Sequence, residues 1–206
     1  MIFLTMAGKI LVSTAYLPPV EYFSLISQAD EVLIEVEENY LKQSYRNRCY
    51  ILSEHGPQLL SIPVYLGSQH KTPLKEIRID YSKRWQQVHL RAITASYNSS
   101  PYFQFYFENI EKIISKKIDF LIDLNMELME SVLKMLKIKI GITYTTNFKP
   151  VGEAENDFRY KISPKKESQF FVKEYMQVFE ICNCFVQGLS IIDLIFNMGP
   201  EAFDYL

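Results

Sequence analysis

Hydrophobic positions change their spacing along this chain, and each change marks a predicted element. Ile10-Leu11-Val12 is a short continuous apolar run ending at Ser13-Thr14, as a strand buried on both faces reads. Tyr16-Leu17-Pro18-Pro19 then imposes an extended turn, and Pro19 suits the first turn of a helix. Tyr22, Phe23, Leu25 and Ile26 supply that helix's apolar stripe through about Ala29, and Val32-Leu33-Ile34 with Val36 reads as a second strand. Strand, helix and strand in this order predict a parallel βαβ crossover. Residues 45–53 and 58–65 read as a hairpin around Glu54-His55-Gly56-Pro57, with Pro63 at an edge or strand end. Ile77 and Ile79 alternate against charges, which predicts one more strand over 74–79.

From Lys83 the period becomes helical. Trp85, His89, Ile93 and Ser96 share one face, and Asn98-Ser99-Ser100-Pro101 ends that helix. Ile110 to Leu136 carries a further apolar stripe, split near Lys117, and 138–146 reads as a strand. Residues 147–169, with Pro150, Gly152 and Pro164, read as a polar loop. Residues 189–196 form a short apolar helix with a Gly-Pro stop at Gly199-Pro200. The expected fold class is α/β: an N-terminal βαβ unit and hairpin forming a mixed sheet, then a largely helical C-terminal half. One domain spans 1–206, sheet-rich over about 1–82 and helical over about 83–206.

Composition narrows the function. At 206 residues, 48% hydrophobic and net charge -2, the chain is long enough to bury a substantial core and is not a disordered polymer. A charge of that sign argues against a dedicated duplex-DNA binder. The start, MIFLTMAGKILV, is broken by Gly8 and Lys9 and lacks a basic n-region, so it reads as a strand rather than a signal sequence. No apolar segment approaches a bilayer span; a soluble cytoplasmic protein is expected. Cys49, Cys182 and Cys184 make no disulfide framework and no zinc set, so no metal is expected, and no cofactor can be named.

Charge is uneven, and the candidate chemistry follows it. Six acidic residues and no basic one lie between Glu21 and Glu38, whereas 42–91 is strongly basic. The stretch NYLKQSYRNR (39–48) holds Asn39, Tyr40, Lys42, Arg46, Asn47 and Arg48 without a carboxylate. In a strand Arg46 and Arg48 share a face. Two such guanidiniums serve either a neighbouring Glu35, Glu37 or Glu38, or an anionic ligand whose oxygens fit their forked donors. The 16–19 turn lies where a parallel strand meets its helix, a place that favours anions; it lacks the glycines of a phosphate loop. His89 is the histidine suited to proton transfer if a cleft reaches it; His55 and His70 fall in a turn and a polar loop.

Several stretches together resemble the WbqC-like family: Tyr16-Leu17-Pro18-Pro19 with Tyr22-Phe23, Ala29-Asp30 and the following strand, and Asn39-Tyr40, Lys42 and Arg46-Asn47-Arg48. Ser61-Ile62-Pro63-Val64, Trp85 with His89, Tyr97 with Ser100-Pro101-Tyr102-Phe103, and 189–193 before Gly199-Pro200 continue the likeness in order along most of the chain. Three features differ: Ala15-Tyr16-Leu17-Pro18 stands where the family commonly has a Gln-Pro-Asn-Tyr-type turn, the acidic pair that often precedes the tyrosine is offset here to Glu35, Glu37 and Glu38, and the 147–169 region has no clear counterpart. The family takes its name from bacterial O-antigen gene clusters, so the resemblance implies surface-polysaccharide biosynthesis. The expected activity is group transfer on a nucleotide-linked or phosphorylated sugar. Lys42, Arg46 and Arg48 would hold phosphate, with Tyr16, Pro18, Asn39, Tyr40, Asn47 and Tyr97 lining the site. Glu35 or Glu38 would orient the cations, and His89 would be acid or base. The alternative is a non-catalytic binding or scaffolding protein, oligomeric or partnered, with a large exposed apolar or aromatic patch, for which Tyr102–Phe107 is a candidate.

Overall fold

The computed structural model describes residues 8–66, 71–166, 168, 170–179 and 184–206. His70, Cys182 and the opening residues 1–7 lie outside them. β1 (Lys9–Ser13) is the continuous apolar run, buried from Ile10 onward. The chain then turns into α1 (Val20–Ser27) and returns as β2 (Glu31–Glu35), parallel to β1 with Ile10 opposite Val32 and Ser13 opposite Glu35. The expected βαβ crossover is therefore present.

The turn between β1 and α1 is strained. Leu17 takes φ 39°, a left-handed conformation costing a bulky residue on the order of 1 kcal/mol. It persists because both sides are tied down. The Tyr16 N–H donates to the Tyr45 carbonyl at 2.8 Å, and the Pro18 carbonyl accepts from the Ile191 N–H at 2.9 Å. Pro19 stands just before the helix rather than inside its first turn. The Val20 N–H donates to the Leu189 carbonyl at 3.1 Å, so that donor is not open to an anion as the turn's position led one to expect.

The hairpin forms as β3 (Arg48–Ser53) and β4 (Gly56–Ser61), antiparallel, with a turn shorter than expected because Gly56 takes φ 108° and re-enters the ladder at once. It is a ladder of its own, so the described strands form no single mixed sheet. The reason is physical: along the outer side of β3, the Tyr50 carbonyl accepts from Ser190 N–H and the Leu52 N–H donates to the Tyr97 hydroxyl. β5 (Val64–Tyr65) and β6 (Arg78–Ile79) pair antiparallel, and a 3-10 turn at Leu74–Glu76 replaces the first half of the strand expected there.

α2 (Trp85–Tyr97) buries Trp85, His89, Ile93 and Ser96 as the spacing requires. α3 (Phe103–Ile114) and α4 (Leu121–Met135) follow, divided near Lys117. β7 (Gly141–Tyr144) then joins the first sheet parallel to β2, giving the order β1-β2-β7. Among the described residues the polar stretch after it has no regular element, yet it is fastened to β1: Leu11 N–H donates to the Asn156 carbonyl and Phe158 N–H to the Leu11 carbonyl, at 3.1 and 2.8 Å. α5 (Ile191–Met198) stops at Gly199, where φ is 54° and an added Cβ would meet the Tyr102 ring at 2.4 Å. One continuous apolar cluster, from Ile10 and Phe23 to Leu128 and Phe196, joins the N-terminal and C-terminal parts. No helix among the described residues is long and apolar enough to cross a membrane.

Candidate functional site

At the C-terminal ends of the parallel strands the structure assembles buried charges. β1 ends at Ser13 and β2 at Glu35; Thr145 follows β7. Glu35 lies at 0% exposure, its Oε2 accepting from Arg159 Nη1 at 2.7 Å and its Oε1 from Thr145 Oγ1 at 2.7 Å and Glu37 N–H at 2.9 Å. Glu38, equally buried, takes a two-pronged pair from Arg46, Nε to Oε1 at 2.8 Å and Nη2 to Oε2 at 2.6 Å. Tyr160 donates to the same Glu38 Oε2 at 3.0 Å. Ser13 Oγ accepts from Arg46 Nη2 at 2.7 Å and donates to the Arg159 carbonyl. Asp157 grips the other edge of Arg159, and Asn125 of α4 donates to the Arg46 carbonyl at 2.8 Å.

Three carboxylates against two guanidiniums leave this network formally negative by one. A charge pair out of water persists only when hydrogen bonds occupy its remaining lone pairs, and here they do. Both guanidiniums are held by carboxylates, so the network is a wall and not a phosphate cradle.

Next to that wall lies a cleft of about 430 Å³, lined among others by Glu21, Tyr45, Tyr50, Lys161, Ser163 and Lys166. Sequence neighbours divide between the two: Tyr45 faces the cleft and Arg46 the network, and Lys161 the cleft and Tyr160 the network. Glu21 lines the cleft, while Tyr22 donates to the Ser13 carbonyl at 2.8 Å. The cleft therefore has a rigid back. Glu21, in the first turn of α1, is 2% exposed, and burial raises its pKa against the Ser168 hydroxyl and Gly188 backbone that stabilise its charge. Its Oε2 is buried without a partner among the described residues. A buried carboxyl oxygen left unpaired is costly. Lys161 and Lys166 form no ion pair among the described residues; Lys161 Nζ rests 4.3 Å over the Phe158 ring.

The residues singled out from sequence separate into groups. Arg46 lies before β3 and not within it, so it does not share a strand face with Arg48; its guanidinium belongs to Glu38. Arg48 is half-buried opposite Ser61, with its Nε unpartnered among the described residues, and shares the half-exposed side of β3 with Tyr50. Tyr40 is half-buried nearby, its pKa pushed by burial to about 12 despite Arg48 and Arg46. Asn39 pairs its backbone with Pro73, and Lys42 is exposed; neither lines the cleft. Asn47 is structural, donating to the Ile62 carbonyl at 2.8 Å. Tyr97 is fully buried, accepts from Leu52 N–H at 2.9 Å and packs on Phe196, so the ligand-facing role expected of it is replaced by a core role. Pro18 is buried, and Pro19 lines the cleft in its place.

Tyr16 and His89 form a pair elsewhere, with Tyr16 Oη 2.9 Å from His89 Nδ1. Burial pushes the His89 pKa down to about 4, opposed by a hydrogen bond to the Ser61 backbone. A ring that donates to a carbonyl through Nε2 accepts through Nδ1, so Tyr16 is the donor. His89 lines a second cleft, not the one at Glu21. In the 102–107 stretch Phe103 is buried and stacked on Phe107, Phe105 is 73% exposed, and Tyr102, Tyr106 and Phe107 are half-buried. Sequence reasoning missed Glu21, Asn125, Asp157, Arg159, Tyr160, Lys161 and Lys166 as site residues. The Asp-x-Arg spacing at 157–159 inside an aperiodic stretch was the available signal.

Residues 14–173 match the WbqC-like protein family. The chain belongs to that family. The matched span of this WbqC-like protein includes the network apart from Ser13 and most of the Glu21 cleft, but not α5. It is also 25% identical over 222 residues, covering 95% of this chain and 96% of the relative, to "Uncharacterized protein Rv1507c" of Mycobacterium tuberculosis (strain ATCC 25618 / H37Rv). No solved structure matches it.

Proposed function

We propose that this WbqC-like protein binds a phosphorylated or nucleotide-linked sugar in the Glu21 cleft. There it acts in group transfer within bacterial surface-polysaccharide biosynthesis, the setting from which its family takes its name. The observation that carries the reading is the uncompensated chemistry facing that cleft. Among the described residues Lys161 and Lys166 form no ion pair on one wall, Glu21 keeps a buried carboxyl oxygen without a partner, and Tyr45 and Tyr50 flank the space. The lysines hold the phosphates, the tyrosines border the sugar or base, and Glu21 meets an acceptor hydroxyl. A carboxyl whose pKa burial raises is a stronger base than an ordinary carboxylate, which suits it to accept a proton. The acceptor oxygen bonds to the transferred group, Glu21 takes its proton, and the phosphate leaves with the bonding pair against the lysines. Glu21 thereby takes the acid–base role expected of His89, and the lysines the role expected of Lys42 and Arg46.

Calorimetry with UDP- and TDP-sugars tests the reading. Both lysines are exposed, so Lys161→Ala/Lys166→Ala remains folded. Each charge-assisted hydrogen bond is worth about 1.5–3 kcal/mol, so affinity should fall at least tenfold, while Arg48→Ala changes it less. Equal affinities in wild type and the lysine double variant remove the site.

A further inference from the structure

A second cleft, of about 460 Å³, lies between β4 and the start of α2, lined by Leu59, Ser61, Lys83, Arg84, Trp85 and Val88 among others. Its electrostatics run against the helix. Helix N-termini carry partial positive charge and favour acids, yet α2 has no acidic residue in its first turn and no side-chain cap. Two cations, Lys83 and Arg84, stand immediately before it instead. Asp80 only partly offsets them: its carboxylate accepts from Ser82 N–H at 2.8 Å and acts on Lys83 from a distance. Independently, Trp85 is 4% exposed and its indole N–H is buried without a partner among the described residues. A buried indole N–H ordinarily finds an acceptor.

Beyond the cations the lining is mixed: Gln58, Ser61 and His89 are polar, and Leu59, Leu60, Pro63 and Val88 are apolar. Leu59 is 43% and Val88 59% exposed, on opposite sides of the cleft, next to Leu60 and Pro63. Cations, an uncapped 13-residue helix and an unsatisfied N–H at one end, with apolar walls beyond, describe a receptor for a molecule charged at one end only. The Tyr16–His89–Ser61 hydrogen bonds hold the floor in place, and burial, which pushes the His89 pKa down, keeps that floor from adding a charge of its own.

We infer that this second cleft binds an amphiphilic anion, a phosphate monoester or carboxylate bearing an apolar tail. The head group sits before α2 against Lys83, Arg84 and the Trp85 indole N–H, and the tail lies between Leu59 and Val88. This site is separate from the Glu21 cleft and does not depend on the function proposed there.

Trp85 is the chain's single tryptophan, so its emission reports on the site directly. The full chain is titrated with octyl phosphate below its micelle concentration, and with octanol and inorganic phosphate as the two half-ligands. The expected result is a saturable change in Trp85 emission with octyl phosphate. Each half-ligand should bind at least tenfold more weakly. Lys83→Ala/Arg84→Ala, at two exposed positions, should weaken octyl phosphate at least tenfold with unchanged thermal stability. Octyl phosphate binding equally to the variant, octanol matching it, inorganic phosphate matching it, or no saturable response would each overturn the assignment.

Discussion

The network at the strand ends and the cleft beside it are built from neighbouring residues but treat charge in opposite ways. In the network every cation meets a carboxylate: Arg46 with Glu38, Arg159 with Glu35 and Asp157. In the cleft Glu21 keeps an unpartnered oxygen and Lys161 and Lys166 keep no ion pair among the described residues. Abundance of cations in a sequence does not locate an anion site. What locates it is the cation that folding leaves without a partner.

The comparison breaks most visibly at the paired carboxylate. Glu38→Gln leaves the Arg46 guanidinium buried without its counter-charge, and removing one partner of such a pair costs about 3–5 kcal/mol. Urea unfolding at neutral pH should show that loss. Glu21→Gln, by contrast, should change stability at pH 7 by less than about 1 kcal/mol or raise it, because burial already disfavours that carboxylate. The sign follows from linkage: a raised folded pKa stabilises below the unfolded value near 4.5, and that contribution fades as pH climbs through the folded value. Equal losses in the two variants would erase the distinction between network and cleft.

A second contrast sharpens it within the core. His89 is pushed down to about 4 from 6.5, so its contribution is present above 6.5 and lost as pH falls through 4. Asp193, buried and bonded by Tyr175 at 2.7 Å, is raised by burial from 3.8 to about 6, so its contribution is present below 3.8 and lost as pH rises through 6. Each gap corresponds to roughly 3 kcal/mol, and over pH 4–6 the two oppose one another. His89→Gln should expose a stability that falls with rising pH across that range, and Asp193→Asn one that rises. Parallel pH profiles for the two variants would contradict the assigned directions.

Much of the fold was legible because burial writes a period into the chain. The apolar runs at 10–12 and 32–34 and the Trp85, His89, Ile93, Ser96 face were each read correctly from spacing alone. The site was legible only in half. Arg46 and Glu38 could be read as partners, being eight residues apart. Arg159 could not, since it reaches Glu35 across 124 residues from an aperiodic stretch. Glu21 was hidden in an acidic run, and nothing local reveals that its side chain turns inward while Glu31 pairs with Lys9 at the surface.

The most direct measurement is a crystal structure of the protein soaked with UDP-glucose. The diphosphate should lie against Lys161 and Lys166 with the sugar toward Glu21, and the Arg46–Glu38 pair should remain closed. A diphosphate bound instead by Arg46, released from Glu38, or by Lys42 and Arg48 outside the cleft, would contradict the account.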